Sequence, residues 1–375
     1  MGTRVKLGLR DLEREAHILL PKGSYVEKLA FTDSCGSEIG VVTIFNGRLR
    51  FTVLLERGMD IGDIFYQEEK VSWERDTKFL LHPDNVDLFN NEAKGWLNGF
   101  YGAVASIGPE VFAAPAEGYT IHGTGSYSQT RGDSVSVEYD DCAMAIEGVV
   151  PVKGYGGAGV FEKRIRLYTQ YDSEAILREE TTQNLTDAVR VLDDGLHIQL
   201  SGSFMQDGGE YVLPVQEHEM LLRDSAEKEM DAMAVKPLKD GKEPIRCYQY
   251  VPERVRGLES IAGIAEYLPA MDDLRGITAE MLVSNREDTA AYVIRPLKDF
   301  PRSLVAKENG ESFMFCFEPC RTRPNRMSQK ITDGEVFYLQ PHLCVTTRCL
   351  IGVTKNREAI KKLGQLIVKA AQRNR

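Results

Sequence analysis

Val41-Val42-Thr43-Ile44-Phe45, then Asn46-Gly47, then Arg48-Leu49-Arg50-Phe51-Thr52-Val53, is the stretch whose reading decides the fold. On both sides of Asn46-Gly47, apolar residues recur with the two-residue period of a strand that buries one face. Asn-Gly tolerates the positive φ that both central residues of a tight hairpin turn require. The segment therefore predicts two antiparallel strands joined by a reversal.

Working outward, comparable runs occur at 134–139, 143–150, 161–168 and 175–183, and again at 245–251, 261–267, 278–283, 291–294, 313–317, 336–339 and 343–353. Many short strands separated by turn residues, without intervening helical patterns, predict an all-β protein built as a large antiparallel β-sandwich. Only Ile360, Leu363, Ile367 and Ala370 follow helical spacing, starting from a candidate cap at Asn356, and they predict a helix docked on the sandwich. Residues 78–98 read as a long loop with one helical turn, and 217–243 as a charged, Met-rich excursion between strands. The chain shows no Pro/Ser linker, low-complexity tract or repeat of constant period, so 1–375 reads as a single domain.

Composition narrows the class. With 375 residues, 42% hydrophobic, the chain can bury a large core. Its net charge of −10 argues against a nucleic-acid or anionic-membrane partner, either of which needs a concentrated basic surface. Seven Cys, with no Cys-x-x-Cys, do not form a secreted disulfide framework and predict free, buried thiols. Residues 1–20 lack the apolar core of a signal peptide, and no apolar run is long enough to span a membrane. The expectation is a cytoplasmic protein, monomeric or homodimeric.

Several motifs fail on context. The glycine-rich run 154–159 lacks the Lys-Ser/Thr of a phosphate-binding loop and leads into a strand pattern instead of a helix. Neither Gly-x-Ser-x-Gly nor His-Glu-x-x-His occurs. Imidazole chemistry must come from His17, His82, His122, His197, His218 or His342. His197 and Gln199 share one face of a strand whose other face carries Ile198 and Leu200. His122 precedes Gly123, which would let a ligand approach the backbone. Glu318 closes the apolar run 313–317, where a carboxylate is costly unless paired or used. Arg57 and Asp60 are polar groups held tightly against an apolar strand. Each also has a structural reading: a hydrogen-bonded histidine in a strand, or an ion pair fixing a loop.

The order Glu56-Arg57-Gly58-Met59-Asp60-Ile61, Trp73, Ile121-His122-Gly123, His197-Ile198 and Phe317-Glu318-Pro319 resembles the aldose 1-epimerase-like proteins of the galactose-mutarotase superfamily. The resemblance implies a sugar cleft on one concave sheet and needs no cofactor and no metal. It implies His197 as general acid and Glu318 as general base, with Arg57, Asp60, His122 and Gln199 on the substrate side and Asp60 orienting Arg57. Gln199, Leu200 and Ser201 stand where the usual relative carries Asn and aromatic residues. Arg302, Arg321, Arg323 and Arg326 allow recognition of a phosphate or carboxylate on the sugar, or form a solvated loop.

Two other readings stay open. A metal-dependent lyase, hydrolase or isomerase would draw ligands from His122, His197, His218 and His342 with Glu217 or Glu318. A non-catalytic sugar-binding module would use the same scaffold.

Overall fold

A computed structural model of the chain describes residues 4–15, 17–154, 157–205, 208–223, 232–235, 246–271, 273, 275–308 and 314–372. They build two large antiparallel sheets, one of ten strands and one of twelve, with a two-stranded ribbon pairing Arg190–Leu192 with Phe337–Leu339. The expected all-β sandwich is what forms.

The opening hairpin folds as Glu38–Phe45 against Leu49–Leu54. Its turn differs from the expected two-residue form, because only Gly47 takes positive φ (+103°). The Asn46 side chain makes the reversal instead, accepting from the amides of Arg48 and Leu49 (2.9 and 2.7 Å). Asn46 Nδ2 donates to Thr169 Oγ1 (2.7 Å) and Ser173 O (3.1 Å), and so ties this sheet to the ten-stranded one.

Within the twelve-stranded sheet, five strands position the site: β1 (Leu49–Leu54), β2 (Asp60–Tyr66), β3 (Val104–Ile107), β4 (Gly195–Ser201) and β5 (Met314–Cys320). They lie side by side in the order β5-β4-β3-β2-β1. Alternation sends Leu196, Ile198 and Leu200 of β4, with Phe315 and Phe317 of β5, into the core between the sheets. There they meet Ile165, Leu167, Val293 and Ile351 of the ten-stranded sheet. Burying each such side chain contributes about 1.5–3 kcal/mol, so the inner-face pattern fixes register and thereby commits His197, Gln199, Cys316 and Glu318 to the outer face.

The helix Arg357–Ala371 starts as expected, with Asn356 at its cap and the Asn356 Oδ1 accepting from the Glu358 and Ala359 amides. Residues 261–267, expected as a strand, are turns followed by a short 3-10 helix. Ile261, Ile264 and Tyr267 recur at every third position, and that spacing packs them against Ile360, Leu363 and Ile367 of the helix. The loop expected at 78–98 holds only single helical turns. Much of 217–243, and Tyr155-Gly156 of the glycine run, lie outside the described residues. Cys316, Cys320 and Cys349 are buried and free as expected, but Cys35, Cys142 and Cys344 are exposed. No helix among the described residues is long and apolar enough to cross a membrane.

Candidate active site

β4 and β5 pair with Gly195 opposite Cys320 and Ile198 opposite Phe317, a register that sets His197 directly across from Glu318. His197 Nε2 lies 3.8 Å from Glu318 Oε1. That separation exceeds a hydrogen bond, so the two groups stand close enough to serve one reacting molecule without being closed on each other. Both are buried, with 8% and 3% of their surface accessible. Burial lowers the imidazole pKa from its ordinary value, and the Glu318 charge and the nearby Gln199 amide oppose that shift.

An aromatic roof covers the pair. The 3-10 turn Gly95–Gly99 carries Trp96, whose ring lies 6.4 Å from that of His197, and Phe100 meets the imidazole edge-on at 4.7 Å. His122 completes the group, its ring 5.8 Å from His197 and nearly perpendicular at 85°. His122 has φ +61°, a left-handed conformation that costs a non-glycine residue about 1–3 kcal/mol. Its backbone is held there by bonds from Gly108 N–H to His122 O (2.9 Å) and from His122 N–H to Ala113 O (3.2 Å).

Arg57 and Asp60 support the roof. Arg57 donates to Ser126 O (3.1 Å), Leu81 O (3.1 Å) and Gly99 O (2.9 Å), and stacks on Tyr127 at 4.2 Å. Asp60 accepts from Ser106 N–H (2.8 Å) and from the Ser126 hydroxyl, so Ser126 stands between the two residues expected to pair. Burial raises the Asp60 carboxyl pKa against the Ser126 bond and the Arg57 charge. Tyr127 in turn donates its hydroxyl proton to Trp96 O (2.5 Å). The Glu56–Ile61 motif thus acts on Trp96 through the turn Gly125–Tyr127.

Gln199 is fully buried, and neither of its amide atoms has a hydrogen-bond partner of normal geometry among the described residues. Cys316, two residues before Glu318 on the same face, points its thiol at Glu318 Oε1 across 3.6 Å. The sequence offered only that spacing as a signal for Cys316, and none for Trp96 or Phe100. His218 is exposed on a 3-10 turn, and the exposed His342 bonds Asp187 at 2.9 Å. Of the ligands expected for a dispersed metal site, His197 and Glu318 bring donor atoms together with Cys316, within 4.8 Å of one another, among the described residues. Arg321 pairs with Asp194 (2.5 Å), while Arg302 and Arg323 both pair with Glu335 (2.8 and 3.1 Å). Those three arginines are therefore engaged within the protein.

The family model that matches residues 36–353 carries the description "Domain of unknown function (DUF4432)". The chain belongs to this family. No protein with a curated description matches its sequence. A structure from Klebsiella pneumoniae, described as a "putative aldose 1-epimerase", is similar at TM-score 0.78 and 16% identity, covering 99% of this chain and 93% of that one. A galactose mutarotase-like protein from Clostridium acetobutylicum is similar at TM-score 0.57 and 12% identity, over 88% and 99% of the two chains. These likenesses establish the galactose-mutarotase-like fold for this DUF4432 member.

Proposed function

We propose that this DUF4432 protein is an aldose 1-epimerase that interconverts sugar anomers by proton transfer between substrate and the His197/Glu318 pair. The observation that carries the reading is their facing placement, 3.8 Å apart and buried on the outer sheet face. In the ring-opening direction Glu318 takes the proton of the anomeric hydroxyl as C1=O forms. The C1–ring-oxygen bond breaks, and His197 delivers a proton to the departing oxygen. After rotation about C1–C2, the reverse transfers close the other anomer. The pair must carry one transferable proton, so turnover depends on the protonation state of the pair as a unit. Because burial lowers the imidazole pKa, exchange should be faster in mild acid than at neutral pH. His122 and Gln199 contribute polar groups for sugar hydroxyls, and Trp96 and Phe100 offer apolar surface for a sugar face.

Saturation-transfer NMR over a panel of free and phosphorylated aldoses, with chelator present, tests the reading. Accelerated anomer exchange is expected, and Glu318→Gln or His197→Ala should each slow it by about 10²–10⁴-fold. No acceleration on any aldose, or full activity in both variants, would remove this reading and favour a non-catalytic sugar-binding role.

A further inference from the structure

We infer that His197, Cys316 and Glu318 form a binding site for one thiophilic divalent cation of the zinc type. Their nearest donor atoms, an imidazole nitrogen, the Cys316 sulfur and a Glu318 oxygen, all lie within 4.8 Å of one another. The separations from Glu318 Oε1 are 3.6 Å to Cys316 Sγ and 3.8 Å to His197 Nε2. Zinc–ligand bonds of about 2.0–2.3 Å in a tetrahedron place neighbouring ligands about 3.3–3.6 Å apart, so the two edges to Glu318 need contraction by at most a few tenths of an ångström, while the imidazole–sulfur edge, within 4.8 Å, closes by up to about an ångström through side-chain rotation. One nitrogen, one sulfur and one oxygen are the donor set of a borderline-soft metal, and sulfur disfavours magnesium or calcium. Three protein ligands leave a fourth position for water or a sugar oxygen.

Charge and second-sphere groups agree. On binding, the Cys316 S–H loses its proton to solvent, and the thiolate and carboxylate together balance the two positive charges. The buried site is then neutral, which avoids the cost of an uncompensated ion. Ligation through Nε2 leaves the other proton on Nδ1, which has no hydrogen-bond partner among the described residues. Gln199, two positions along the same strand face and fully buried, sets its amide beside that imidazole, with no partner of normal hydrogen-bond geometry among the described residues. Three residue types converge on one point, with a buried amide beside them that has no partner of normal geometry among the described residues.

The binding claim is independent of the anomer-exchange reading, but its consequence for turnover rests on that reading. The cation uses the Nε2 lone pair and the Glu318 oxygen that proton transfer requires, so metal occupancy and acid–base exchange exclude each other. Zinc would switch such an enzyme off.

The test titrates the full-length, reduced protein with Co²⁺ and with Zn²⁺ against a chromophoric chelator. One equivalent should bind, and Co²⁺ should show a thiolate-to-metal absorption band. Since loss of an outer-shell partner alone costs about 10–100-fold in metal affinity, Cys316→Ser should weaken binding by at least about 100-fold and abolish the band. Cys320→Ser, which removes a buried thiol on the same strand outside the cluster, should leave both intact. The wild-type Co²⁺ spectrum needs no variant, so a Cys316→Ser protein that failed to fold would not leave the site untested. Absence of stoichiometric binding, or binding that survives in a folded Cys316→Ser protein, overturns the inference. Anomer exchange in chelator with no metal bound at any concentration would refute the site and leave the epimerase standing. A one-equivalent cobalt–thiolate spectrum without exchange on any aldose would do the reverse.

Discussion

Lys330→Met should destabilise the protein by about 3–5 kcal/mol, the usual cost of removing one partner from a buried ion pair. Lys330 is fully buried and its Nζ donates to Asp193 Oδ2 (2.6 Å) and to Phe112 O (2.7 Å). Asp193 also accepts from Phe112 N–H (2.8 Å) and the Thr322 hydroxyl (2.5 Å), so one carboxylate joins the start of β4 to the loop before His122 and the segment after β5. Met preserves the aliphatic stem and creates little cavity; the loss comes from a carboxylate left buried without its cation. Burial already raises the Asp193 pKa, and Lys330 opposes that shift. Without Lys330 the carboxyl should take up a proton more readily, and the deficit should shrink as pH falls. Urea unfolding at several pH values measures this. The double variant Lys330→Met/Asp193→Asn should recover most of the loss, because no charge then remains to be buried. A deficit below about 1 kcal/mol at neutral pH, or no recovery in the double variant, would refute the assignment of this pair as the anchor of the site.

Asp299 and Glu180 give opposite pH signatures in the same assay. Burial raises the Asp299 carboxyl to about 6 although it accepts the Arg348 N–H, so its contribution to stability is full below 3.8 and lost as pH rises through about 6. Asp299→Asn should flatten that window. Burial also works against the Glu180 charge, but Lys163 and Arg178 prevail and hold its carboxyl at about 2, so its contribution is present above 4.5 and lost as pH falls toward 2. An unchanged pH profile in Glu180→Gln below 4.5 would contradict this. At Gly58, where φ is +62°, a Cβ would collide with the Gly125 carbonyl oxygen. Gly58→Ala should therefore cost at least about 1–3 kcal/mol in unfolding free energy, with weaker protection of the Trp96 turn in hydrogen exchange.

The strand pattern was legible wherever one face meets the core, because burial imposes the two-residue period that a sequence displays. Residues 261–267 were misread because a run of turns can bury every third residue and still look strand-like in composition. β2 went unrecognised, since Asp60 and Asp63 interrupt its apolar run. His197 and Glu318 could be picked out by position, one on the polar face of a strand and one at the end of an apolar run. Their facing register could not, because it is set by pairing between segments far apart in the chain. Trp96 and Phe100 come from a loop without period, and beyond its spacing from Glu318 nothing in the sequence around Cys316 separates it from any other buried thiol, because its contact with Glu318 depends on the strand's place in the sheet.

The pairing of β4 with β5 also bears on when the site comes into being. Most contacts that unite His197 with Glu318 are ladder bonds between distant stretches of chain, and such non-local pairings form late and slowly. During synthesis Glu318 leaves the ribosome long after His197, Trp96 and the Glu56–Ile61 motif. A chain that ends before Glu318 also lacks Cys344–Thr354, the strand that joins the two halves of the ten-stranded sheet, so it can hold the residues of the aromatic roof but neither the joined sheet nor the His197/Glu318 pair. If the chain is the epimerase proposed above, recovery of anomer exchange during refolding should coincide with the last cooperative step, with no active intermediate before it.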